Sequence, residues 1–561
     1  MPIKDKDQKQ KAEAKIKVLH REAEEKKAKN LADELGFPYL DLKISTIDDE
    51  ALTISNKADS ENAGLAIIQK KQKELYIAVL DPRLKETQSF IKNLETQGYQ
   101  TKVSVTSISG LKRAWDRYKD IKPEKKEIIE KIEISSEDLK QIQDNINTIA
   151  DLKEKLEQPN VPTTELLNII MASGLKLEAS DIHFETEEGG TTRLRFRLDG
   201  ILQDAANIPT SAYQLLSSRI KILSELKINI HDKPQDGRFS FNSATGPEGG
   251  VEIEIRTSII PGDNGENIVL RILDPKTIGL KLENLGIQDY DYKIIESELK
   301  KPNGMIITTG PTGSGKTTLL YAFLKAANDP GSKIITLEDP IEYHLKGVEQ
   351  TQVEAEKGYT FAGGLRSILR QDPDIILVGE IRDAETATTA INAALTGHLV
   401  FSTLHTNDAA GAIPRLVDMK INPTMIPPAL NLIIAQRLIR KVCPKCSQEI
   451  KPDEESLEKI KNGLANLPSR VPKPELDNIT IKQANPKGCP YCNFTGYKGR
   501  IGVFELFIID DSMEKVILKT PSNVEIKESA IKAGMVLMRQ DGLLKVLQKI
   551  TTLDEVERIL G

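Results

Sequence analysis

Residues 310–318 read Gly310-Pro311-Thr312-Gly313-Ser314-Gly315-Lys316-Thr317-Thr318. Glycines at this spacing let backbone N–H groups curl around an anion. A lysine after the last of them reaches β- and γ-phosphates, and the next hydroxyl, on Thr317, faces magnesium. The chemistry is the binding and splitting of a nucleoside triphosphate, with a glycine-rich turn that holds nothing as the alternative. The surroundings favour the nucleotide: the apolar run Gly304-Met305-Ile306-Ile307-Thr308-Thr309 precedes the loop as a strand, and an amphipathic helix starts at Leu319-Leu320-Tyr321.

Three later runs supply acids and a histidine. Lys333-Ile334-Ile335-Thr336-Leu337 reads as a strand ending in Glu338-Asp339-Pro340-Ile341-Glu342, and Ile375-Ile376-Leu377-Val378 as one running into Gly379-Glu380-Ile381-Arg382-Asp383. Leu399-Val400-Phe401-Ser402-Thr403 is a third, bracketed by His398 and His405. In an open parallel sheet, catalytic groups gather at the carboxyl ends of the strands. A carboxylate there orients and deprotonates water or holds magnesium through water. His405 is read as a sensor of the γ-phosphate, against the plainer reading of a satisfied structural histidine.

Cys443, Cys446, Cys489 and Cys492 make two C-x-x-C pairs. Four thiolates at that spacing close a tetrahedral zinc site with no open position, so the zinc is structural. A redox pair is the alternative for one C-x-x-C, and two in one segment weaken it.

The elements that position these groups belong to a chain of 561 residues with formal net charge −6. That length implies three or four domains, and that charge does not advertise a general grip on nucleic acid. No apolar segment suits a secretory leader or a bilayer span, so the expectation is a soluble, cytoplasmic protein whose membrane location comes from a partner. Residues 1–29 read as a charged tail, frayed or as one exposed helix, with no apolar face for a membrane. Residues 30–120 read as a small mixed α/β domain with a helix end at Ala32–Pro38, a buried strand at Leu75–Pro82 and a helix at Ser89–Leu94. Residues 121–160 are too charged, and their isoleucines too sparse, for a core; a helical or partly disordered linker is expected.

A second domain spans 161–280. Arg193, Arg195 and Arg197 alternate with Leu194, Phe196 and Leu198, a strand with one solvated face. Val251, Ile253 and Ile255 alternate with Glu252, Glu254 and Arg256, a salt-bridge ladder. Arg271 shares its face with Val269 and Leu273. An arginine with apolar neighbours on both faces is costly unless it meets an anion, which predicts a phosphate partner, with an intradomain salt bridge as the alternative.

Together these residues resemble the secretion ATPase family, the motors of type II secretion and type IV pilus assembly (GspE/PilB-like). The resemblance runs from Pro162 to Gly561. It takes in Ala179–Glu185, Pro234-Gln235-Asp236-Gly237-Arg238, the phosphate loop, Thr336–Glu342, Gly379–Asp383, Gly397–Asp408, Ala435-Gln436-Arg437-Leu438, the paired cysteines and Gly534–Leu547. It implies an α/β fold with a RecA-like P-loop core at 281–561, holding a zinc insert at 440–500 and a helical C-terminal subdomain at 506–561. A PAS-like domain at 161–280 and a small leading domain at 30–120 precede it.

It further implies ATP, magnesium and zinc as cofactors, Glu338 as the group that polarises water, and Glu380 in the magnesium role. Arg256 and Arg271 are implied to be presented to the phosphates by a neighbouring subunit, with Arg366, Arg370, Arg382 and Arg500 as further basic positions around the site. The partners it implies are five more copies in a homo-hexamer and an inner-membrane platform protein (PilC/GspF-like). The protein would work peripherally at the inner face of the membrane, assembling pili or secretion pseudopili. A nucleic-acid translocase and a non-hydrolysing scaffold are the rival readings; acidic balance and few aromatics oppose the first, and Lys316, Thr317, Glu338 and Glu380 oppose the second. A cyclic dinucleotide site is not expected, because its pattern is not evident before Leu35.

Overall fold

The computed structural model describes residues 4–45, 47–71, 73–96, 99–118, 131–132, 145–156, 163–243, 251–273, 281–519 and 522–561. The chain forms two compact units, Met1–Ile128 and Ile129–Gly561.

In the first unit a three-stranded sheet takes the order Leu65–Lys71, Glu74–Val79, Gln100–Val105. The helices Lys85–Thr96 and Ile108–Arg117 accompany it. The charged run expected to be a tail is one continuous helix, Lys4–Leu35, that ends at Gly36 with φ of 71°. Its last turns bury Ala28 and Ala32, so a boundary at residue 29 cuts through a helix whose end belongs to the core.

In the second unit a seven-stranded sheet takes the order Lys131–Ile132, Gln235–Ser243, Val251–Gly262, Gly265–Leu273, Asp181–Glu187, Thr191–Leu198, Ile201–Pro209. Alternation drives Phe184, Leu194, Phe196, Ile255, Ile268 and Leu270 inward, where the helices Thr163–Lys176 and Thr210–Leu223 supply Leu167, Ile170, Leu216 and Ile220. Most of the stretch expected to be a linker lies outside the described residues. Its described end does join the core: Ile146 and Leu152, the latter on the helix Ile149–Leu156, are buried against this sheet. Two well-placed apolar groups can cap a neighbour's core even when they cannot form one.

The second sheet of this unit has the order Glu349–Gln352, Ile334–Glu338, Ile375–Val378, Leu399–Leu404, Gly304–Thr309, Leu430–Val442, Tyr497–Ile508. All neighbours are parallel except the last pair. The central strands are buried from end to end, as a sheet covered on both faces requires. The strand Gly304–Thr309 skips two positions before its successor Ile334–Glu338, which opens the crevice where such sheets bind ligands. The strands Leu430–Val442 and Tyr497–Ile508 lead the chain into and out of the cysteine excursion; the latter runs two residues past the expected boundary at 506. Four helices, from Asp511 to Leu560, close the chain.

A seam joins the cysteine excursion to the first sheet of this unit. The Gly499 N–H donates to Asp199 at 2.9 Å, Lys498 pairs with Glu178 at 2.6 Å, and the Ile149 N–H donates to Asn493 at 3.2 Å.

Candidate active site

The loop 310–315 leaves the strand Gly304–Thr309 and enters the helix Lys316–Ala327 with Gly310, Gly313 and Gly315 at φ of 147°, 78° and 91°. At two of these a side chain has no room. A Cβ on Gly310 would sit 2.5 Å from the Gln436 carbonyl oxygen, and one on Gly315 would sit 2.9 Å from the Gln436 amide nitrogen. Gln436, midway along the neighbouring strand Leu430–Val442, therefore braces the loop. The Lys316 ammonium donates to the carbonyls of Gly310 at 2.7 Å and Pro311 at 3.1 Å. Burial holds its pKa below the ordinary lysine value, with the charge of Glu380 opposing. Thr317 is exposed on the first turn, and the hydroxyl of Ser314 is buried with no hydrogen-bond partner. An orphaned donor inside a glycine cradle at a helix N-terminus fits a phosphate, and an exposed Thr317 hydroxyl beside it fits magnesium.

The three acids divide into different environments. Glu380 is 14 % exposed, pairs with Arg382 at 2.5 Å and lies 3.4 Å from His405. The structure thus brings Glu380 and His405 together near Lys316. His398, at the other end of the same strand, bonds the Ala393 carbonyl oxygen at 2.9 Å and is structural. A Cβ at Gly379 would lie 3.2 Å from the Leu337 carbonyl oxygen and 3.4 Å from Glu338 Cα, so glycine there lets two strand ends close up.

Glu338 does not match the water-polarising role. Its side chain is fully engaged: Oε1 accepts from Thr336 at 2.6 Å and from Gln350 at 3.2 Å, and Oε2 accepts from Tyr321 at 2.5 Å, with the residue 4 % exposed. Both oxygens of this buried carboxylate already take protein donors, three of about four acceptor sites, which leaves water little access. Glu342, four residues on, is half-buried and meets an arginine instead. Its Oε2 meets Arg256 Nη1 at 2.7 Å, and Arg256 Nη2 donates to the Ile341 carbonyl at 2.7 Å. Burial raises the Glu342 pKa, the charges of Arg256 and Arg271 work against it, and Glu338 adds to the rise. Its signal in the sequence was its place in the same acidic cluster, where nothing local separates a saturated glutamate from a free one.

Arg256 thus reaches the acidic loop of its own chain. It pairs with Glu254 only at 3.9 Å, so the expected ladder is a minor contact. Arg271 is not buried: the side chain is 55 % exposed on the outer face of the sheet and donates from Nε to Asp181 at 2.9 Å. Of its two apolar neighbours on that face, Leu273 is buried but Val269 is only half-buried, so the face does not enclose the arginine. The intradomain salt bridge is what forms, and the fork of the guanidinium still faces out. Arg193 and Arg195 pair with Glu187, Asp204 and Glu185 on the solvated face. Arg366 binds Glu385, Arg370 donates to the Arg366 carbonyl at 2.9 Å, and Arg500 lies beside Gly200 at the seam.

The four cysteine sulfurs lie within 4.8 Å of one another, at 3.8 Å for Cys443–Cys489, 3.9 Å for Cys446–Cys492 and 3.8 Å for Cys489–Cys492. Sulfurs at about 2.3 Å from a tetrahedral zinc stand about 3.8 Å apart, so the set fits zinc. The Cys492 thiol, which burial alone would raise, is brought down to about 7 by N–H donors of Cys489 and Gly496. Metal analysis is expected to find one zinc per chain. Stripping it should lower the melting midpoint and open 443–500 to protease while leaving ADP affinity within about twofold.

A phosphate loop at the crevice of a parallel sheet, with acids and a histidine on neighbouring strand ends, defines a P-loop ATPase of RecA-like fold. The family described as Type II/IV secretion system protein matches residues 157–558. The type II secretion system protein E of Pseudomonas aeruginosa is 44 % identical over 422 residues, 75 % of this chain and 80 % of that protein. The type IV pilus assembly ATPase PilB of Myxococcus xanthus is 36 % identical over 528 residues, 94 % and 89 % of the two chains. The ATPase DotB of Legionella pneumophila shares the fold, with a TM-score of 0.51 at 23 % identity over 72 % of this chain and 97 % of that one. The chain belongs to the type II/IV secretion ATPase family. Among the described residues no helix is long and apolar enough to cross a membrane.

Proposed function

We propose that this chain is one subunit of a hexameric motor that hydrolyses ATP to assemble type IV pili or type II secretion pseudopili through an inner-membrane platform protein, working at the inner face of the membrane. The observation that carries this reading is the grip of Arg256 on Glu342 and Ile341: the arginine-bearing domain touches the acidic loop of its own ATPase domain. In the proposed cycle, residues 310–318 cradle the phosphates, Lys316 meets the β- and γ-oxygens, and Glu342 orients the attacking water. Bound magnesium, held by Thr317 and reached through water from Glu380, would neutralise the charge that builds up on the phosphate oxygens. His405, tied to Glu380, responds to the γ-phosphate. Arg256 leaves Glu342 for the triphosphate and Arg271 turns its outward fork to it, which closes the cleft, and loss of the γ-phosphate reopens it. Glu338 holds the strand end in place.

Because the arginines act within one chain in this reading, mixing Lys316→Ala chains with Arg271→Ala chains should restore no turnover in the assembled ring. Recovery to a quarter or more of the wild-type rate, about what random mixing in trans would give, would overturn the within-chain grip. ATP turnover should also rise when the platform protein is added and stay unchanged with single-stranded DNA.

A further inference from the structure

Registers across five strands line up one transverse row: Arg238 opposite Arg256, Arg256 opposite Arg271, Arg271 opposite Asp181, Asp181 opposite Arg197. Directly opposed residues share a face of the sheet, and opposed like charges repel. Four guanidinium groups therefore stand in a line with a single carboxylate among them. Arg256 is drawn off the row by Glu342. Arg271 and Arg197 both meet Asp181, whose side chain is only 7 % exposed.

Asp181 makes three contacts. It accepts from Arg271 Nε at 2.9 Å and from the Ser180 hydroxyl at 2.9 Å, and it pairs with Arg197 Nε at 3.3 Å. Burial raises its pKa, but the bond and charge of Arg271, with Ser180 and Arg197, outweigh that and hold it below the ordinary carboxylate range. It is an anion throughout the neutral range. The bond to Arg271 is at Nε, the one donor on the stem side of the guanidinium. The terminal nitrogens, whose paired N–H groups match phosphate oxygens, are left to the outer face. Arg271 also feels the charge of Glu342, the acid that holds Arg256.

We infer that Asp181 is the positioning residue for Arg271: it fixes the stem of a flexible, half-exposed arginine so that its fork is presented to the phosphates. This rests on the reading above that Arg271 grips the triphosphate. The carboxylate touches no substrate; it acts by removing the search of a long side chain through its rotamers, and Arg197 keeps it ionised and in place from the other side.

The test is a double-mutant cycle in the full chain, read as kcat and KM for ATP, with melting curves for each variant. Asp181→Asn keeps the shape and loses the charge; it is expected to lower kcat about 10- to 100-fold with KM for ATP within about twofold. Asp181→Glu should recover part of that loss. In an Arg271→Ala background, Asp181→Asn should cost nothing further, within about twofold. If the two losses multiply, Asp181 serves the fold alone and the inference is overturned. If Arg271→Ala is inactive while Asp181→Asn turns over normally, the inference fails and the phosphate grip stands. If Arg271→Ala turns over like the wild type, the grip itself is wrong and the inference goes with it. An Asp181→Asn chain that does not fold would hand the decision to Asp181→Glu, where loss of kcat that persists in the Arg271→Ala background would overturn it.

Discussion

Lys316→Ala is expected to abolish phosphate release, by about 10³-fold or more, while the protein keeps its melting midpoint within a few degrees. The argument is electrostatic. The ammonium is half-buried, which already disfavours its charge, and it is held there by the carbonyls of Gly310 and Pro311. A charged group kept in a low-dielectric cradle costs stability unless it meets an anion, so its removal spares the fold and removes the strongest attraction for the transferred phosphoryl group. Lys316→Arg should fail almost as badly, because a planar fork cannot follow a point charge into that loop. The measurement is steady-state phosphate release beside a melting curve. A Lys316→Ala protein releasing phosphate at a tenth of the wild-type rate or faster would remove the lysine from the chemistry.

What could be read in the sequence was local. The phosphate loop, its strand and its helix lie within one stretch, and Cys443 with Cys446 and Cys489 with Cys492 carry their own spacing, so each declared itself without knowledge of the fold. The partners of the charged groups lay elsewhere. Arg271 bonds an aspartate 90 positions earlier, and Arg256 bonds a carbonyl 85 positions later. Apolar neighbours on the same strand said Arg271 was buried; only the sheet shows that its face is the outer one. Glu338 looked like the working acid because it ends a strand beside the nucleotide loop. Tyr321 and Gln350, which take up its oxygens, come from a helix and from the next strand, and no spacing rule joins them. The packing of the helix Ile149–Leu156 against a core was missed because the run's isoleucines were weighed against forming a core, and capping another core needs far fewer apolar groups.

The second large effect separates the two glutamates of one loop. Glu342→Gln should bind ATP normally and lower kcat about 10²- to 10⁴-fold, the range for loss of a positioned base. Glu338→Gln should instead act mainly on the fold, costing about 1–3 kcal/mol for a buried acceptor left badly matched to Tyr321 and Thr336, with a smaller loss of rate. The pH dependence gives an independent check. Glu342 must be ionised to take a proton, so activity is present above its pKa in the folded enzyme and lost as pH falls through it. Burial raises that pKa, so the acid limb should lie above the ~4.3 of a free glutamate. Arg256 works in the other direction, and its removal should move the limb to still higher pH, a shift separate from any fall in the plateau rate. An acid limb that does not move in Arg256→Ala, or a Glu342→Gln protein that turns over faster than Glu338→Gln, would return the water to Glu338 and require that its three protein donors let go during the cycle.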